Sequence, residues 1–418
     1  MRPLRICVDA RRQGAGLAGG VEQIVIGLAY GLSRLTDGDE EYVFLTAPPD
    51  TDWIAPYLGG NSTVLRSASP VGPSGWRGRL AAISPIRRVW EAATAIVGER
   101  AIAIPRSDGT LERAAVDVVH FPRQGAFLTD VPSVYQPHDL QHLHLPKYFT
   151  RRERIAREVL YRAFCDQANT VVMMTRWGRD DISAKYGLPR DKVCVIPGAS
   201  VLAAYPAPSS EDLKRVTAKF SLPKAFAFYP AQTFPHKNHL TLLKALAIAR
   251  DHHGRRIPLV ASGYQNEFFA VIKKQSEELG LSDLVRFVGF VDTLELRSLY
   301  RLARCLVFPS AFEGWGLPVT EAFAEAVPVV CSDATSLPEV VGDAALIVPV
   351  DDTEQLANAL VRVWTDDELR RTLVERGRGR AASVSWDKIA RIFRAHYRRI
   401  GGRQLTDEDA TLVQSSYD

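Results

Sequence analysis

Short apolar runs of four to six residues, each leading through a glycine- or proline-bearing loop into a helically spaced segment, recur in both halves of this 418-residue chain. Arg5-Ile6-Cys7-Val8-Asp9-Ala10 is the first. It passes through the glycine-rich loop Gly14 to Gly20 into a segment with Ile24, Leu28, Leu32 and Leu35 at helical spacing, about Val21 to Leu35. Tyr42 to Leu45 is the next strand. Strand, glycine loop, helix, strand is the opening of a parallel α/β domain. The same grammar restarts at Phe226 to Pro230, with the loop Ala231 to Asn238 and the helix His239 to Arg250. Further strands follow at Leu259 to Gly263, Val285 to Val288, Cys305 to Phe308, Val329 to Cys331 and Ala345 to Val348. The chain is too long for one comfortable core, so two domains are expected, 1–200 and 211–384. Pro197 to Ser210, with little periodicity, is the linker between them. Trp386 to Arg399 is a late amphipathic helix, and the polar stretch 401–418 is expected to be a mobile tail.

Hydrophobic residues make up 46% and charged residues 24%, as in a soluble globular protein, and a net charge of +4 does not argue for nucleic acid. Five cysteines, widely spaced and without a CxxC pair, argue against a disulfide framework or a zinc site. Cys7, Cys194, Cys305 and Cys331, in or beside apolar runs, read as small buried hydrophobes, and the compartment as reducing and cytoplasmic. Arg5 and Asp9 interrupt the only apolar run near the N-terminus, so no signal peptide is expected, and no run reaches the ~18–20 residues of a membrane span. The arginines are clustered. Trp76, Arg77, Arg79, Arg87, Arg88, Trp90 and Arg100 lie in an irregular segment in which Pro85 to Ile104 has the pattern of an amphipathic helix, and Arg151 to Phe164 is a strongly basic helix. Such faces are either solvated or an acceptor- or membrane-facing surface.

Gly14-Ala15-Gly16-Leu17-Ala18-Gly19 fits GxGxxG, yet the second strand ends in Thr46-Ala47-Pro48 where a dinucleotide site needs a ribose-binding acid. The more useful feature is Gly19-Gly20-Val21-Glu22, where paired glycines at a helix start let a phosphate or a developing negative charge approach backbone amides. His138, in Gln136-Pro137-His138-Asp139, follows a strand at its carboxyl end, where an imidazole can hold or polarise a sugar hydroxyl or serve the fold alone; His142 and His144 have weaker claims. With no acids clustered at ligand spacing, no metal site is expected. Lys237 stands immediately before a helix and can combine its charge with helix-start amides around a diphosphate.

The densest signal is FPSAFEGWGLPVTEAFAEAVPVV, Phe308 to Val330. Gly314 and Gly316 free the backbone for close approach, and Pro318 opens a helix whose free amides form an anion site. Glu313 lies in the loop and Glu321 in the first helical turn, eight positions on, a spacing that puts one at each end of a bound ligand. A carboxylate accepts paired bonds from a ribose diol or sugar hydroxyls.

The segment from Phe226 to Asp352 resembles the retaining glycosyltransferases of family 4, through Lys237-Asn238, Val288-Gly289-Phe290, the E-x7-E element Glu313 to Glu321, and Ser336-Leu337-Pro338-Glu339-Val340-Val341-Gly342-Asp343-Ala344-Ala345. The first half resembles the family more loosely, through Gly19-Gly20-Val21-Glu22 and His138-Asp139. The resemblance implies the α/β GT-B fold, two facing Rossmann-like domains with an interdomain cleft, the late helix completing the first. It implies that Glu321 holds the ribose of a nucleotide sugar, that Lys237 pairs with its diphosphate beside Leu317 and Pro318, and that Glu313 with Gly314, Trp315 and Gly316 holds the donor sugar. Gly289 and Phe290 meet the base, while Gly19, Gly20 and His138 close on the donor from the first domain. Gln232 stands where many relatives place an arginine, leaving Lys237 more of the diphosphate's charge.

The implied reaction moves a hexose, of mannose or glucose type, from a nucleoside diphosphate sugar to a glycan or polyprenyl-linked acceptor, with anomeric retention and without a divalent metal; the basic segments leave two readings open, peripheral contact with a membrane's inner face or solvated helix faces. His138, Lys237 and Glu313 are the expected catalytic residues. The competing expectations are a non-catalytic sugar-nucleotide-binding protein, an NAD-dependent oxidoreductase through GxGxxG, and a metal-dependent transferase through Asp50-Thr51-Asp52.

Overall fold

A computed structural model describes residues 2–12, 19–67 and 102–418. The chain forms two compact units, 1–173 with 182–196 and 387–418, and 174–181 with 197–386.

The first unit is built on a parallel sheet of β1 (Leu4–Asp9), β2 (Glu40–Thr46), β3 (Ser62–Arg66), β4 (Val118–Phe121), β5 (Ser133–Tyr135), β6 (Thr170–Met173) and β7 (Val193–Val195), in the order β3-β2-β1-β4-β5-β6-β7. Its inner strands β1, β4, β5 and β6 are buried almost throughout, as in parallel sheets covered on both faces, whereas the edge strand β3 is part-exposed. Cys7, Val43, Val119, Phe121, Tyr135 and Val171 pack into one core with Phe164 and Cys165 of the helix Arg151–Gln167. That helix opens on a capping box, Thr150 accepting from the Glu153 amide and Glu153 accepting from that of Thr150. The helix Trp386–Ile400 also belongs here: Tyr397 is buried with its hydroxyl 2.7 Å from Nδ1 of His120.

The second unit repeats the plan with β8 (Ala227–Pro230), β9 (Leu259–Ser262), β10 (Val285–Gly289), β11 (Cys305–Phe308), β12 (Val329–Ser332) and β13 (Ala345–Val348), ordered β10-β9-β8-β11-β12-β13, all parallel. In each sheet the chain turns back at the first strand and resumes on its other side. Such a reversal opens a crevice at the carboxyl ends of the two diverging strands, where this architecture binds ligands. The crevices therefore lie beyond β1 and β4 in the first unit, and beyond β8 and β11 in the second. All five cysteines are free and buried, Cys165 as well as the four that lie in or beside apolar runs.

Several expectations need correction. The polar stretch 401–418, expected to be a mobile tail, carries the helix Asp407–Ser415. Asp409 takes a bond from Arg398 at 2.9 Å, and the Ser416 carbonyl takes the Val195 amide at 2.6 Å, so the segment is tied to the edge of the sheet. The linker 197–210 starts at the boundary between the units and is held to the second: Arg297 donates to the Leu202 and Tyr205 carbonyls at 3.1 and 2.8 Å, and Arg301 donates to that of Pro208 at 3.2 Å. Glu325 fixes both arginines, at 2.5 and 2.6 Å. The basic segment from Trp76 to Arg100 and most of the GxGxxG loop lie outside the described residues.

Candidate functional site

The second unit collects most of the expected site residues around the crevice beyond β8 and β11. After β8 the chain makes a single turn of 3-10 helix, Pro235–Lys237, and Asn238 then takes a left-handed conformation (φ 61°) that starts the helix His239–Asp251. Asparagine tolerates this backbone better than most residues. Its side chain fixes the turn by donating to the Val350 carbonyl at 3.1 Å and accepting from Thr241 at 2.7 Å. Lys237 is held at both ends. The Tyr229 hydroxyl donates to its carbonyl, and its ammonium donates to Glu313 Oε1 at 2.6 Å. The two side chains are 20% and 12% exposed, so the pair is largely dry yet reachable.

Glu313 is positioned through its backbone. Its amide donates to Thr335 Oγ1 at 3.0 Å, and its carbonyl accepts from Thr335 at 2.7 Å and Ser336 at 2.9 Å. Gly316, at φ 96°, caps the helix Leu317–Ala324, and a Cβ there would stand 2.7 Å from Leu337 Cδ2. Leu317 is the first helical residue and Pro318 the second, one position later than the sequence suggested. Trp315 is 7% exposed, and its indole Nε1 has no hydrogen-bond partner among the described residues.

Glu321 sits deeper than expected. It is the fifth residue of its helix, past the first turn, and 5% exposed. Helix-start electrostatics therefore do not explain it. Burial pushes its carboxyl up to about 7, against the hydroxyl of Tyr300, which donates to Oε2 at 2.7 Å. Gly289 closes β10 at φ 72°, with nothing within 4 Å of an added Cβ, and Phe290 beside it is 51% exposed. Gln232, half-buried, lies at the close approach of two loops: a Cβ on Gly263 (φ 138°) would meet the Ala231 carbonyl oxygen at 2.4 Å and the Gln232 nitrogen at 2.8 Å.

In the first unit, Gly19 caps the helix Gly20–Leu32 in extended conformation without a side-chain cap, and Glu22 lies in its first turn. His138 is buried at φ 72°, an uncommon backbone for a side chain of this size. Its Nε2 lies 3.0 Å from the Pro122 carbonyl, which only accepts, so that nitrogen carries the proton. Burial depresses its pKa to about 4, so the ring is neutral at pH 7. Asp50 and Asp52 are taken by Arg12 and Arg66, each at 2.6 Å.

Sequence reasoning missed the residues that support these groups. Tyr300 and Thr335 are ordinary helix and turn residues until the fold brings them to Glu321 and Glu313. Glu339, quoted only as part of a motif, accepts the Arg176 and Trp177 amides at 2.9 and 3.2 Å and so caps the helix Arg176–Tyr186. Thr233 bonds Asn266 at 2.9 Å, beside a hollow of about 640 Å³ lined by Tyr264, Asn266, Glu267, Phe268 and Val271.

A family model described as glycosyl transferases group 1 matches residues 210–380, and one described as glycosyltransferase family 4 matches residues 18–199. The chain belongs to the group 1 glycosyltransferases. Its fold is GT-B. Among curated relatives, it is 32% identical over 252 residues to O-antigen chain mannosyltransferase B of Escherichia coli, covering 60% of this chain and 66% of that protein. It is 32% identical over 186 residues to the serotype-specific mannosyltransferase WbdA of Escherichia coli, covering 44% of this chain but only 23% of that much longer protein. Of solved structures, sucrose-phosphate synthase from Thermosynechococcus elongatus superposes with a TM-score of 0.68 at 20% identity, covering 96% of this chain and 99% of that one. Anabaena HepE in complex with UDP and glucose gives 0.67 at 18% identity, covering 94% and 99%.

Proposed function

We propose that this chain transfers a hexosyl group, mannosyl in the first instance, from a nucleoside diphosphate sugar to a hydroxyl of a glycan or lipid-linked acceptor, with anomeric retention and without a divalent metal. The observation that carries this reading is the Lys237–Glu313 pair, 2.6 Å apart at the carboxyl edge of the second sheet, beside the helix that opens at Leu317. The mannosyltransferase names of the relatives favour mannose, and the UDP and glucose bound to a structural neighbour make glucose the alternative.

The chemistry follows from the leaving group. When the bond from the anomeric carbon to the diphosphate oxygen breaks, negative charge grows on the diphosphate, and stabilising that charge is the largest service a site can render. The Lys237 ammonium and the helix-start amides near Leu317 and Pro318 supply it. The acceptor oxygen bonds the anomeric carbon on the face the diphosphate leaves, and its proton goes to a diphosphate oxygen. Glu313, with Gly314, Trp315 and Gly316, holds the sugar; Glu321, fixed by Tyr300, holds the ribose; Gly289 and Phe290 meet the base.

The test is incubation of the protein with GDP-mannose or UDP-glucose, an oligosaccharide acceptor and EDTA. Release of free nucleoside diphosphate with an α-linked product by NMR is expected. Binding without release would leave a sugar-nucleotide-binding protein, and activity lost in EDTA would overturn the metal-free reading.

A further inference from the structure

The crevice of the first sheet holds a group that neither the fold nor the donor chemistry uses. Arg11 stands two residues past the end of β1, and Arg123 two residues past the end of β4. These strands are direct neighbours, Val8 beside His120, and they are the pair at which the sheet reverses. Both arginines thus rise from the edge where this architecture places ligands.

Among the described residues, the carboxylates of Asp9, Asp50 and Glu22 are bonded to the neighbouring Arg11 and Arg12, and Asp108 adds its field at Arg11. Arg11 binds Asp9 through Nε to Oδ1 at 2.8 Å and Nη2 to Oδ2 at 2.9 Å, and its own amide adds a bond to Oδ1 at 3.1 Å. Arg12 takes Asp50 at 2.6 Å and Glu22 at 3.3 Å. Each of these arginines also lies over an aromatic ring, Arg11 over Phe127 at 4.7 Å and Arg12 over Trp53 at 4.2 Å. Arg123 feels the fields of Asp9, Arg11 and Glu22, yet it is 7% exposed and its Nε is buried without a hydrogen-bond partner among the described residues. A buried guanidinium that is not hydrogen-bonded is costly, and each such group in a native structure needs an explanation, a bound anion among them.

We propose that Arg123 anchors an oxyanion, phosphate or carboxylate, carried by the acceptor. Guanidinium is suited to this, because its planar fork matches both groups with paired bonds. Asp9 holds Arg11 beside it as a fixed second positive charge. The assignment of the anion to the acceptor rests on the glycosyl-transfer reading, in which the donor diphosphate belongs to Lys237.

The experiment follows arginine Nε–H signals by NMR while inorganic phosphate and, separately, sodium glucuronate are titrated into the full chain saturated with GDP or UDP. One buried arginine signal is expected to shift saturably, and to disappear in Arg123→Lys. In Arg123→Gln and Arg123→Lys, anion affinity read by calorimetric titration should fall about tenfold or more, with nucleotide affinity unchanged. A phosphate response assigns a phosphorylated acceptor, and a glucuronate response a uronic-acid-bearing one. Shifts that never saturate, or that are equal at all arginines, overturn the proposal. So does a phosphate response seen without nucleotide and abolished by it, since the site would then serve the donor. Failure of GDP and UDP to bind the wild type at all would instead overturn the glycosyl-transfer reading and leave the anion response standing on its own.

Discussion

Lys237 is fixed at its carbonyl by Tyr229 and at its ammonium by Glu313, so its charge is in place before any ligand arrives. Replacing it with alanine is expected to cost about 1.5–3 kcal/mol of nucleoside diphosphate affinity, the worth of charged hydrogen bonds. Calorimetric titration checks this, and an unchanged dissociation constant would remove Lys237 from the diphosphate. Glu321 makes a different prediction. Its carboxyl is raised by burial to about 7, so the folded state holds a proton that the unfolded chain releases near 4.5. Stability from this group is full below about 4.5 and is lost as pH rises through about 7, a loss on the order of 3 kcal/mol. Glu321→Gln keeps an acceptor for Tyr300 and removes the charge. Its melting temperature should match wild type near pH 4.5 and exceed it above pH 7, while ribose recognition weakens; a gap independent of pH would show that the carboxyl is not strained. The sequence showed that Glu313 and Glu321 belong to one element, but not that one is a loop acid on a lysine and the other a buried acid on a tyrosine. That difference comes from Tyr300, distant in sequence, and no spacing rule carries it.

The loop and helix from Glu313 to Ala324 were legible as an element because Gly316 and Pro318 punctuate them. Gly316 needs its left-handed backbone and the space against Leu337, so Gly316→Ala should cost roughly 1–3 kcal/mol, read by thermal melting, and should reduce nucleotide affinity by moving the helix start. What holds the loop was not legible. Thr335 closes a two-way clasp on the Glu313 backbone from another turn, itself at φ 47°. Thr335→Val removes the hydroxyl at nearly constant volume and leaves polar backbone unpaired, at an expected cost of about 1–3 kcal/mol. Urea denaturation with nucleotide titration would check it, and unchanged stability would show that the turn stands without the clasp. The arginines beyond β1 and β4 were invisible for the same reason: in sequence they are charged loop residues, and only the strand order makes them neighbours.

At the scale of the molecule, two repeats of strand, loop and helix were readable as two α/β units, because apolar periodicity survives without any tertiary information. The tying of residues 401–418 was not, since that stretch is polar and its anchors are single contacts. Arg398 bridges Glu40 and Asp409 at 2.6 and 2.9 Å, with both carboxylates 3% exposed. Arg398→Met strands two buried charges and should cost about 3–5 kcal/mol in the first unit's unfolding transition. A loss below about 1 kcal/mol would mean that water reaches both acids and that the bridge is no more than a surface ion pair.

The helix Trp386–Ile400 closes a unit whose sheet is encoded some two hundred residues earlier, with Tyr397 and Phe393 against His120. On the ribosome this reverses the expected order. At roughly 5–20 residues per second, synthesis of 197–386 takes about 10–40 s, and throughout that time the first sheet waits for its last helix. The half translated second is therefore expected to finish folding first. Arrested nascent chains of increasing length would show it: protease resistance of the first unit should arise only once residue 400 has cleared the exit tunnel, and resistance already present when residue 200 emerges would refute the order.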